Sequence, residues 1–346
     1  MKIKNSLWIA VIATLLFSSC KKDKDPDPGP PYVYYWTDYW GFYPTSFVPD
    51  HTALDQSENV WYGAANHLCK KVNDNVTDYS ASISSFPSSS KSSLTFDNNN
   101  KLWIGNSVKG IIVYDGTTFQ TYDSTNSGLS DNRVHSITVD AANNKWICTE
   151  TNIVKYDGST WVVYDSTNSS LREFATANIV CTPGFTWICG ISSLKRFDGT
   201  TFTNWDATNS GFPSGGMKYV TNDGNGNLWF IPQASWGEAQ TLYKFNGSMF
   251  VAYPIATFSY TNSAGFVGLK ADMENNIWLY GAALMEFNGT SFYNTRMPII
   301  DYNNGDFHLT HEFQPTISSM VIKSSNSKWF SGYWPTQEAT SLYRYH

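Results

Sequence analysis

Two histidines near the C-terminus have a spacing that chemistry could use. His308 and His311 lie three residues apart in "DFHLTHE", and Glu312 follows the second histidine. A metal site would need further ligands in a fixed geometry, so the pair alone predicts no metal. No G-x-S-x-G, H-E-x-x-H or paired-acid motif stands in a suitable context elsewhere. We therefore predict no catalytic residue and no cofactor, and keep as an alternative a polysaccharide lyase or hydrolase that uses His308 or His311.

The elements that must position such residues come from a repeat. A tryptophan recurs within an apolar tetrad at intervals of 42, 43, 41, 42, 49 and 51 residues. An aspartate stands six residues before five of these tryptophans; Cys181 and Lys323 occupy that position in the other two repeats. The seven tryptophans, which we predict to be structural, are Trp61, Trp103, Trp146, Trp187, Trp229, Trp278 and Trp329.

Each repeat contains four short stretches of strand character. In one copy these are "HSITVD", "KWICT", "IVKYD" and "TWVVYD", and Gly158 takes a turn position that favours positive φ. Four antiparallel strands per repeat of about 42 residues are typical of a β-propeller blade. We predict an all-β, seven-bladed propeller of four-stranded blades over residues 33–346. The last repeat lacks its fourth strand, and the segment around Tyr34 has the spacing to supply it and close the ring.

The consensus of the repeat, quoted as "KWI…YDG..F..YDSTNSGL", resembles the two-component regulator propeller repeat. That repeat forms the periplasmic sensor half of Bacteroidetes hybrid two-component systems, which regulate polysaccharide use. The resemblance implies the fold and a ligand-binding role. Those sensors also carry a second propeller, an immunoglobulin-like domain, a membrane span and a kinase. This chain shows none of these in its sequence, so the resemblance implies no kinase activity here.

Three insertions depart from the repeat in blades five to seven. They are "PQASWGEAQ", "TRMPIIDYNNGDFHLTHEFQP" and "GYWPTQEAT", and strand alternation places all three as long loops on one face. Loops on a rigid scaffold often carry function, and exposed aromatic rings can stack on sugars or pack against a peptide. We predict a glycan or protein ligand at this face; a lid over the ring opening and a structural protein-docking subunit are the alternatives. The predicted ligand-binding residues are Trp236, Tyr302, His308, His311, Tyr333 and Trp334.

The first 19 residues predict an export signal. Lys2 and Lys4 precede an apolar run that is shorter than the roughly 20 residues a membrane-spanning helix needs. The run ends in "LFSSC", which resembles a bacterial lipobox and implies that Cys20 is diacylated and becomes the new N-terminus. Residues 20–32 are charged and rich in proline, which indicates an extended tether.

Composition limits the partners of the chain. The net charge is −6 and no basic run occurs, so we predict no binding to nucleic acid. No second apolar stretch could span a bilayer, so we expect membrane contact through the lipid only and a monomeric outer-membrane lipoprotein. The Lys-Asp alternation after Cys20 resembles the surface-export signal of Bacteroidetes lipoproteins, which implies surface exposure; the periplasmic side stays open as the alternative.

Two further motifs have structural and functional interpretations. Cys148 and Cys189 follow their tryptophans by two residues and read as small buried side chains, while a bond between Cys181 and Cys189 stays open. The repeated Thr-Asn-Ser stretch reads as turn chemistry. Its alternative is a ring of amide side chains that faces a ligand: Asn126, Asn168 and Asn209.

Overall fold

The repeat folds into β-strands along the whole of the predicted propeller. The computed structural model describes residues 33–35, 41–45, 51–64, 67–73, 75–82, 91–169, 171, 178–213, 215–232, 240–255, 265–303, 306–313, 316–324, 327–334 and 339–345. The predicted export signal, Cys20 and the tether lie outside the described residues.

The first half of the chain contributes fourteen strands and one short 3-10 helix, Ser80–Ser82. These strands are β1 Val33–Tyr35, β2 Gly41–Thr45, β3 His51–Leu54, β4 Val60–Ala64, β5 His67–Val72, β6 Asn75–Asp78, β7 Lys91–Phe96, β8 Leu102–Asn106, β9 Gly110–Tyr114, β10 Phe119–Tyr122, β11 Val134–Val139, β12 Lys145–Thr149, β13 Ile153–Tyr156 and β14 Trp161–Tyr164.

The second half continues the pattern. Its strands are β15 Asn178–Thr182, β16 Phe185–Cys189, β17 Ser193–Phe197, β18 Phe202–Asp206, β19 Tyr219–Asn222, β20 Leu228–Ile231, β21 Thr241–Phe245, β22 Phe250–Pro254, β23 Phe266–Ala271, β24 Ile277–Gly281, β25 Leu284–Phe287, β26 Phe292–Asn303, β27 Asp306–Phe313, β28 Thr316–Ser324, β29 Ser327–Trp334 and β30 Ala339–Tyr345.

Six sheets have the four strands that the repeat predicts, and one sheet has six. Sheets 1 to 5 are antiparallel meanders of consecutive strands: β3–β6, β7–β10, β11–β14, β15–β18 and β19–β22. Sheet 6 contains β23–β26 with β1 and β27 added, and sheet 7 contains β28–β30 with β2 added. The prediction of an all-β propeller is confirmed, while sheet 6 departs from the predicted four strands.

An N-terminal strand completes the last sheet, but not the one that the spacing predicted. β2 pairs antiparallel with β30, from Gly41 opposite Arg344 to Thr45 opposite Thr340. The predicted segment around Tyr34 instead forms β1, which pairs parallel with β26 at Thr295. Counting back from the tryptophan failed because it assumed the usual length for the connection into sheet 1. The strand that pairs with β30 is centred on Tyr43, nine residues after the predicted Tyr34.

The sheets are arranged in a ring about their first strands. These strands contact one another in the cyclic order β3, β7, β11, β15, β19, β23, β28 and back to β3. Hydroxyl groups connect neighbouring first strands: the Thr138 hydroxyl donates to the Ile179 carbonyl at 2.9 Å, and the Thr52 and Ser319 oxygens are 2.8 Å apart. Every first strand therefore has a neighbouring first strand on each side.

The repeat tryptophans fill the spaces between sheets. All seven are buried, with between 1% and 6% of their surface exposed. Trp146 of sheet 3, for example, packs with Ile179 and Ile188 of sheet 4. A single sheet cannot bury both of its faces, so a large side chain at a fixed position in each repeat provides the contact that holds successive sheets together.

The aspartate six residues before the tryptophan has a structural reason. In sheets 1, 2, 3, 5 and 6 the indole N–H donates to its carboxylate at 2.8–3.2 Å. The other carboxylate oxygen accepts backbone N–H groups of the turn, as at Asp97 from Asn99 and Lys101. In sheet 4, where Cys181 replaces the aspartate, the Thr182 hydroxyl accepts the Trp187 indole N–H at 3.0 Å. One side chain thus satisfies both the turn and the buried indole.

A buried lysine of sheet 3 forms an ion pair with an aspartate of sheet 2. The Lys145 ammonium group, 3% exposed as a residue, lies 3.0 Å from the Asp97 carboxylate of the preceding sheet and 5.0 Å from the centre of the Trp103 ring. Lys328 of sheet 7 occupies the matching position, 4.0 Å from Asp272 of sheet 6. Both lysines directly precede a repeat tryptophan, a position to which the sequence assigned no role.

The turns between third and fourth strands follow the predicted chemistry. Gly158 has a φ of 106°, and the Asp157 carboxylate accepts the N–H groups of Ser159 and Thr160. The Thr-Asn-Ser amides are likewise used by their own turns. The Asn126 side chain accepts the Asp123 N–H and donates to the Thr121 carbonyl, and Asn168 and Asn209 repeat this arrangement.

The described cysteines, Cys69, Cys148, Cys181 and Cys189, form no disulfide. Cys148 and Cys189 are fully buried, which confirms their predicted role as small interior side chains. Cys181 and Cys189 are not bonded, because both lie on one antiparallel hairpin at separate rungs: Cys181 is opposite Thr186 and Cys189 is opposite Asn178. Burial raises the pKa of the Cys181 thiol to about 12.

Candidate functional site

Five of the six predicted ligand-binding residues lie on strands of sheets 6 and 7. They are at the end of each sheet that is opposite the turns between third and fourth strands. β26 pairs with β25 only over Phe292–Thr295 and then continues past the sheet. From Met297 onward it pairs with β27 and forms a projecting hairpin, Met297–Phe313. The prediction of an irregular long loop here was therefore wrong: the insertion is largely a two-stranded β-hairpin.

The projecting hairpin holds three of the six predicted residues. By backbone register, Tyr302 is opposite Phe307, His308 is opposite Asp301 and His311 is opposite Ile299. Tyr302 and His308 therefore lie on neighbouring rungs near the tip. The sequence contained a signal for this hairpin, because "NNG" separates two stretches of mixed apolar and polar residues. Asn-Gly is a favoured two-residue hairpin connection.

The remaining predicted residues are divided between a second strand pair and an undescribed segment. Tyr333 and Trp334 end β29, where Trp334 is opposite Ala339 of β30. Trp236 lies outside the described residues. The strand order of each sheet places the projecting hairpin and the end of the β29–β30 pair at the same face. The structure thus groups five predicted residues on two strand pairs.

A cavity of about 460 Å³ lies between the first strands and was not predicted from the sequence. We call it the axial cavity. Five consecutive members of the ring line it, namely β23, β28, β3, β7 and β11. Its polar lining residues are His51, Thr52, Ser93, Thr95, Asn98, Thr138, Lys270, Tyr280 and Ser319.

Tyr280 reaches the axial cavity because its partner in the sheet is a glycine. Gly268 is opposite Tyr280 in the β23–β24 ladder. A Cβ atom on Gly268 would lie 2.1 Å from the tyrosine hydroxyl and from the ring carbon that carries it. The tyrosine ring therefore occupies the space that a side chain on the first strand would take. Burial, followed by the proximity of Tyr219, raises the pKa of Tyr280 to about 12, so its hydroxyl stays protonated at neutral pH.

This rung is reversed relative to the other sheets. Elsewhere the first strand carries a side chain, and the second strand carries a small or apolar residue. The corresponding pairs are His51–Gly63, Ser93–Gly105, Ser136–Cys148, Asn178–Cys189, Tyr219–Ile231 and Ser319–Ser331. The reversal could have been read from the sequence once the strand register was known.

Lys270 provides the positive charge in the axial cavity. It is opposite Trp278, two residues after Gly268 on the same strand. The residues opposite the repeat tryptophan in the seven sheets are Ala53, Thr95, Thr138, Val180, Thr221, Lys270 and Val321. Lys270 alone among these positions is charged. Its side chain remains solvent-accessible inside the cavity, while the surrounding protein desolvates the ammonium group and lowers its pKa.

Neither a metal-binding cluster nor a membrane-spanning helix occurs in the described part of the chain. No group of three or more His, Cys, Asp or Glu side chains is placed there to hold a metal ion. Among the same residues, no helix has the length and apolar character needed to cross a membrane.

The fold and its axial cavity define a β-propeller, and comparisons with solved structures support this class. A catalytically inactive variant of virginiamycin B lyase from Staphylococcus aureus, solved with quinupristin, matches with a TM-score of 0.64 at 13% identity, over 89% of this chain and 99% of the lyase. YCF48 bound to D1 peptide matches with a TM-score of 0.63 at 13% identity, over 91% and 99%.

A third similar structure is the extracellular domain of a putative hybrid two-component system from B. thetaiotaomicron. It matches with a TM-score of 0.51 at 15% identity, over 86% of this chain and 52% of that domain. No protein-family model and no curated protein sequence matches the chain. At these identities the similarities show the propeller fold alone.

Proposed function

We propose that the chain is an extracytoplasmic binding protein that engages a glycan through the face carrying the projecting hairpin. The observation that carries this proposal is the departure of sheet 6 from the repeat. β26 continues eight residues beyond its last partner in β25 and pairs with β27 instead. The part of β26 that pairs with β27 has no partner in β25, so it is better suited to presenting residues than to packing within the blade.

The chemistry of the hairpin residues favours a glycan. Tyr302, Tyr333 and Trp334 combine flat apolar rings with a hydrogen-bonding group, which suits the apolar face and the hydroxyl groups of a sugar ring. His308 adds a donor or acceptor one rung from Tyr302. A protein partner at the same face is the competing outcome of the experiment below.

The proposed setting follows from the N-terminal sequence. We propose that residues 1–19 are removed, that lipid on Cys20 anchors the protein to the outer membrane, and that residues 20–32 tether a propeller of residues 33–346. The cyclic contact order of first strands supports a ring of seven blades, in which sheet 6 is a blade with two added strands. The similarity to a two-component extracellular domain supports the kinship with the two-component regulator propeller repeat only as far as the fold.

The test is a binding screen of the detergent-solubilised full-length chain. A glycan array identifies a ligand, and titration calorimetry compares wild type with Trp334→Ala and Tyr302→Ala. Loss of an aromatic platform at a sugar site should weaken binding about tenfold, which corresponds to about 1.4 kcal/mol. Phe185→Ala is the matched control, because Phe185 is an exposed aromatic at the turn face.

Three outcomes decide the proposal. Weaker glycan binding in both hairpin variants with an unchanged Phe185→Ala variant supports it. Equal glycan binding in all variants places the ligand elsewhere and overturns it. Absence of any glycan ligand, together with a partner protein whose binding depends on Trp334, replaces the glycan with a protein at the same face.

A further inference from the structure

We propose that the axial cavity binds a small hydroxylated carboxylate, the chemical class of sugar acids, with the Lys270 ammonium group as the principal contact and the Tyr280 hydroxyl as a second donor. This inference does not depend on the projecting hairpin or on its ligand.

Lys270 lacks the carboxylate neighbour that other interior lysines have among the described residues. Two other lysines of the interior have carboxylate neighbours: Lys145 lies 3.0 Å from Asp97, and Lys328 lies 4.0 Å from Asp272. Among the residues that the structure describes, Lys270 has no carboxylate within salt-bridge distance. Its ammonium group lines the axial cavity and remains solvent-accessible, so it is available to an anion that enters. A bound carboxylate would supply the counter-charge.

The lining of the axial cavity favours an anion. No aspartate or glutamate is among its lining residues, although the chain as a whole carries a net charge of −6. An anion that enters the cavity therefore meets one positive group and no acidic side chain of the described lining. The volume of about 460 Å³ lies within the range typical of small-molecule sites.

Hydroxyl groups in the lining can donate hydrogen bonds to a ligand. The Tyr280 hydroxyl crosses β23 at Gly268 and remains protonated, since its pKa is raised. The Thr52 and Ser319 hydroxyls share one hydrogen bond at 2.8 Å, so whichever of them donates, the other retains a proton for a ligand. Hydroxyl donors in the same cavity as an ammonium group suit a carboxylate that itself carries hydroxyl groups.

The Gly268–Tyr280 rung is unfavourable for the folded strand that contains the glycine. Six sheets place a side chain on the first strand and a small or apolar residue opposite it, whereas sheet 6 places Gly268 opposite Tyr280. A glycine inside a strand is unfavourable by roughly 0.5–1 kcal/mol relative to alanine. Sheet 6 combines this unfavourable glycine with the only charged residue found opposite a repeat tryptophan, two residues away. A binding role gives both departures from the repeat a common reason.

The experiment measures binding to the detergent-solubilised full-length chain by titration calorimetry. The probes are D-glucuronate, its neutral counterpart D-glucose, acetate and inorganic phosphate. We expect D-glucuronate to bind, acetate to bind more weakly and D-glucose not to bind. Phosphate binding as tight as that of D-glucuronate would overturn the carboxylate assignment, and absence of binding by D-glucuronate and acetate would overturn the site.

The variants separate a binding role from a structural one. Lys270→Met should weaken D-glucuronate binding on the order of tenfold to a hundredfold, as expected for loss of a charged hydrogen bond, and Tyr280→Phe should weaken it about two- to tenfold. Lys109→Met, at an exposed lysine outside the cavity, is the control and should leave binding unchanged.

Stability supplies a readout that a merely structural lysine would not give. Without ligand, Lys270→Met should melt at the same temperature as wild type or higher, because no carboxylate of the described residues forms an ion pair with Lys270. A lower melting temperature with unchanged D-glucuronate affinity would overturn the proposal in favour of a structural role.

Discussion

Sheet 3 and sheet 6 follow the same plan and differ at two rungs near the axis. In sheet 3, Ser136 is opposite Cys148 and Thr138 is opposite Trp146. In sheet 6, Gly268 is opposite Tyr280 and Lys270 is opposite Trp278. The tryptophan, its aspartate and the turns are common to both sheets, so they belong to the shared plan of these two blades. The rungs that differ lie where a blade faces the axial cavity.

The difference shows how sheet 6 changes the chemistry of this rung without a clash. Tyr280 occupies the space above the first strand because Gly268 leaves it empty. Interiors are close-packed, so the position of the Tyr280 ring requires a residue without a side chain at 268. A single departure from the repeat would create a clash or a gap, whereas the paired departure preserves the blade and changes the chemistry of the axis.

The largest expected effect concerns what the two sheets share. Trp146→Ala and Trp278→Ala each remove a side chain that is at most 2% exposed. Each variant should lose about 3–5 kcal/mol of unfolding free energy, because the truncation leaves a cavity between sheets. Chemical denaturation measures the loss.

Val162→Ala provides the control for the tryptophan variants. Val162 lies in β14 of sheet 3 and is 41% exposed, so its truncation should change stability by no more than about 0.5 kcal/mol. A loss in Trp278→Ala far below that in Trp146→Ala would break the comparison, since it would mean that sheet 6 does not depend on the shared core.

The second prediction compares Lys145, which has a carboxylate neighbour, with Lys270, for which the described residues provide none. Lys145→Met leaves the Asp97 carboxylate buried without its counter-charge and should cost about 3 kcal/mol. This estimate is at the lower end of the range for buried pairs, because backbone N–H groups and the Trp103 indole still donate to Asp97. Lys270→Met should cost nothing in the absence of ligand. Denaturation of both variants under one buffer checks the contrast.

A surface pair calibrates that result. Arg133 and Asp131 form an ion pair at 2.9 Å, with the arginine side chain 53% exposed. Arg133→Met should leave the unfolding free energy nearly unchanged, because solvent screens such pairs. Equal losses in Arg133→Met and Lys145→Met would show that the Lys145–Asp97 contact does not hold sheets 2 and 3 together.

Much of the regular part of the molecule could be predicted from the sequence, because local chemistry determines it. The Trp146 interval, the turn at Gly158 and the buried position of Cys148 repeat from blade to blade, and each depends on residues close in the chain. The use of Asp140 as acceptor for Trp146 was missed, since the spacing was read only as a turn.

The closing strand and the site were harder to predict, because they depend on long-range pairing. Nothing local distinguishes Tyr34 from Tyr43 as the partner of the last strand; the register of β2 against β30 decides it. The axial cavity likewise requires residues from five sheets. Lys270 and Gly268 become notable only when the residues opposite each tryptophan are compared across the ring.

The third prediction reverses the distinctive rung of sheet 6. Gly268→Ser introduces a Cβ at 2.1 Å from Tyr280 and should destabilise the protein by about 1–3 kcal/mol. The double variant Gly268→Ser with Tyr280→Gly reproduces the Ser93–Gly105 pair of sheet 2 and should recover most of that loss. Denaturation of the single and double variants measures their coupling.

A double variant that recovers no stability would contradict this prediction. If the two changes destabilise additively, the tyrosine ring does not occupy the space above Gly268 and the volume argument is wrong. A recovered fold that no longer binds D-glucuronate would instead separate the stability of sheet 6 from the chemistry of its cavity.

The smallest expected effect comes from acid and concerns Asp97, a member of the shared Asp–Trp arrangement. Burial raises the pKa of this carboxyl, but hydrogen bonds from the Lys101 N–H, Lys145 and the Trp103 indole outweigh it and leave the pKa below its ordinary value. A carboxyl with a lowered folded pKa stabilises the protein above its unfolded pKa of about 3.9, and this contribution is lost as the pH falls through the folded pKa. Denaturation at a series of pH values below about 4 should therefore show a smaller acid loss in Asp97→Asn than in wild type. Asn246→Ala, at a turn position without a carboxyl, should follow the wild-type slope, and parallel curves for all three proteins would mean that Asp97 titrates alike in the folded and unfolded chain.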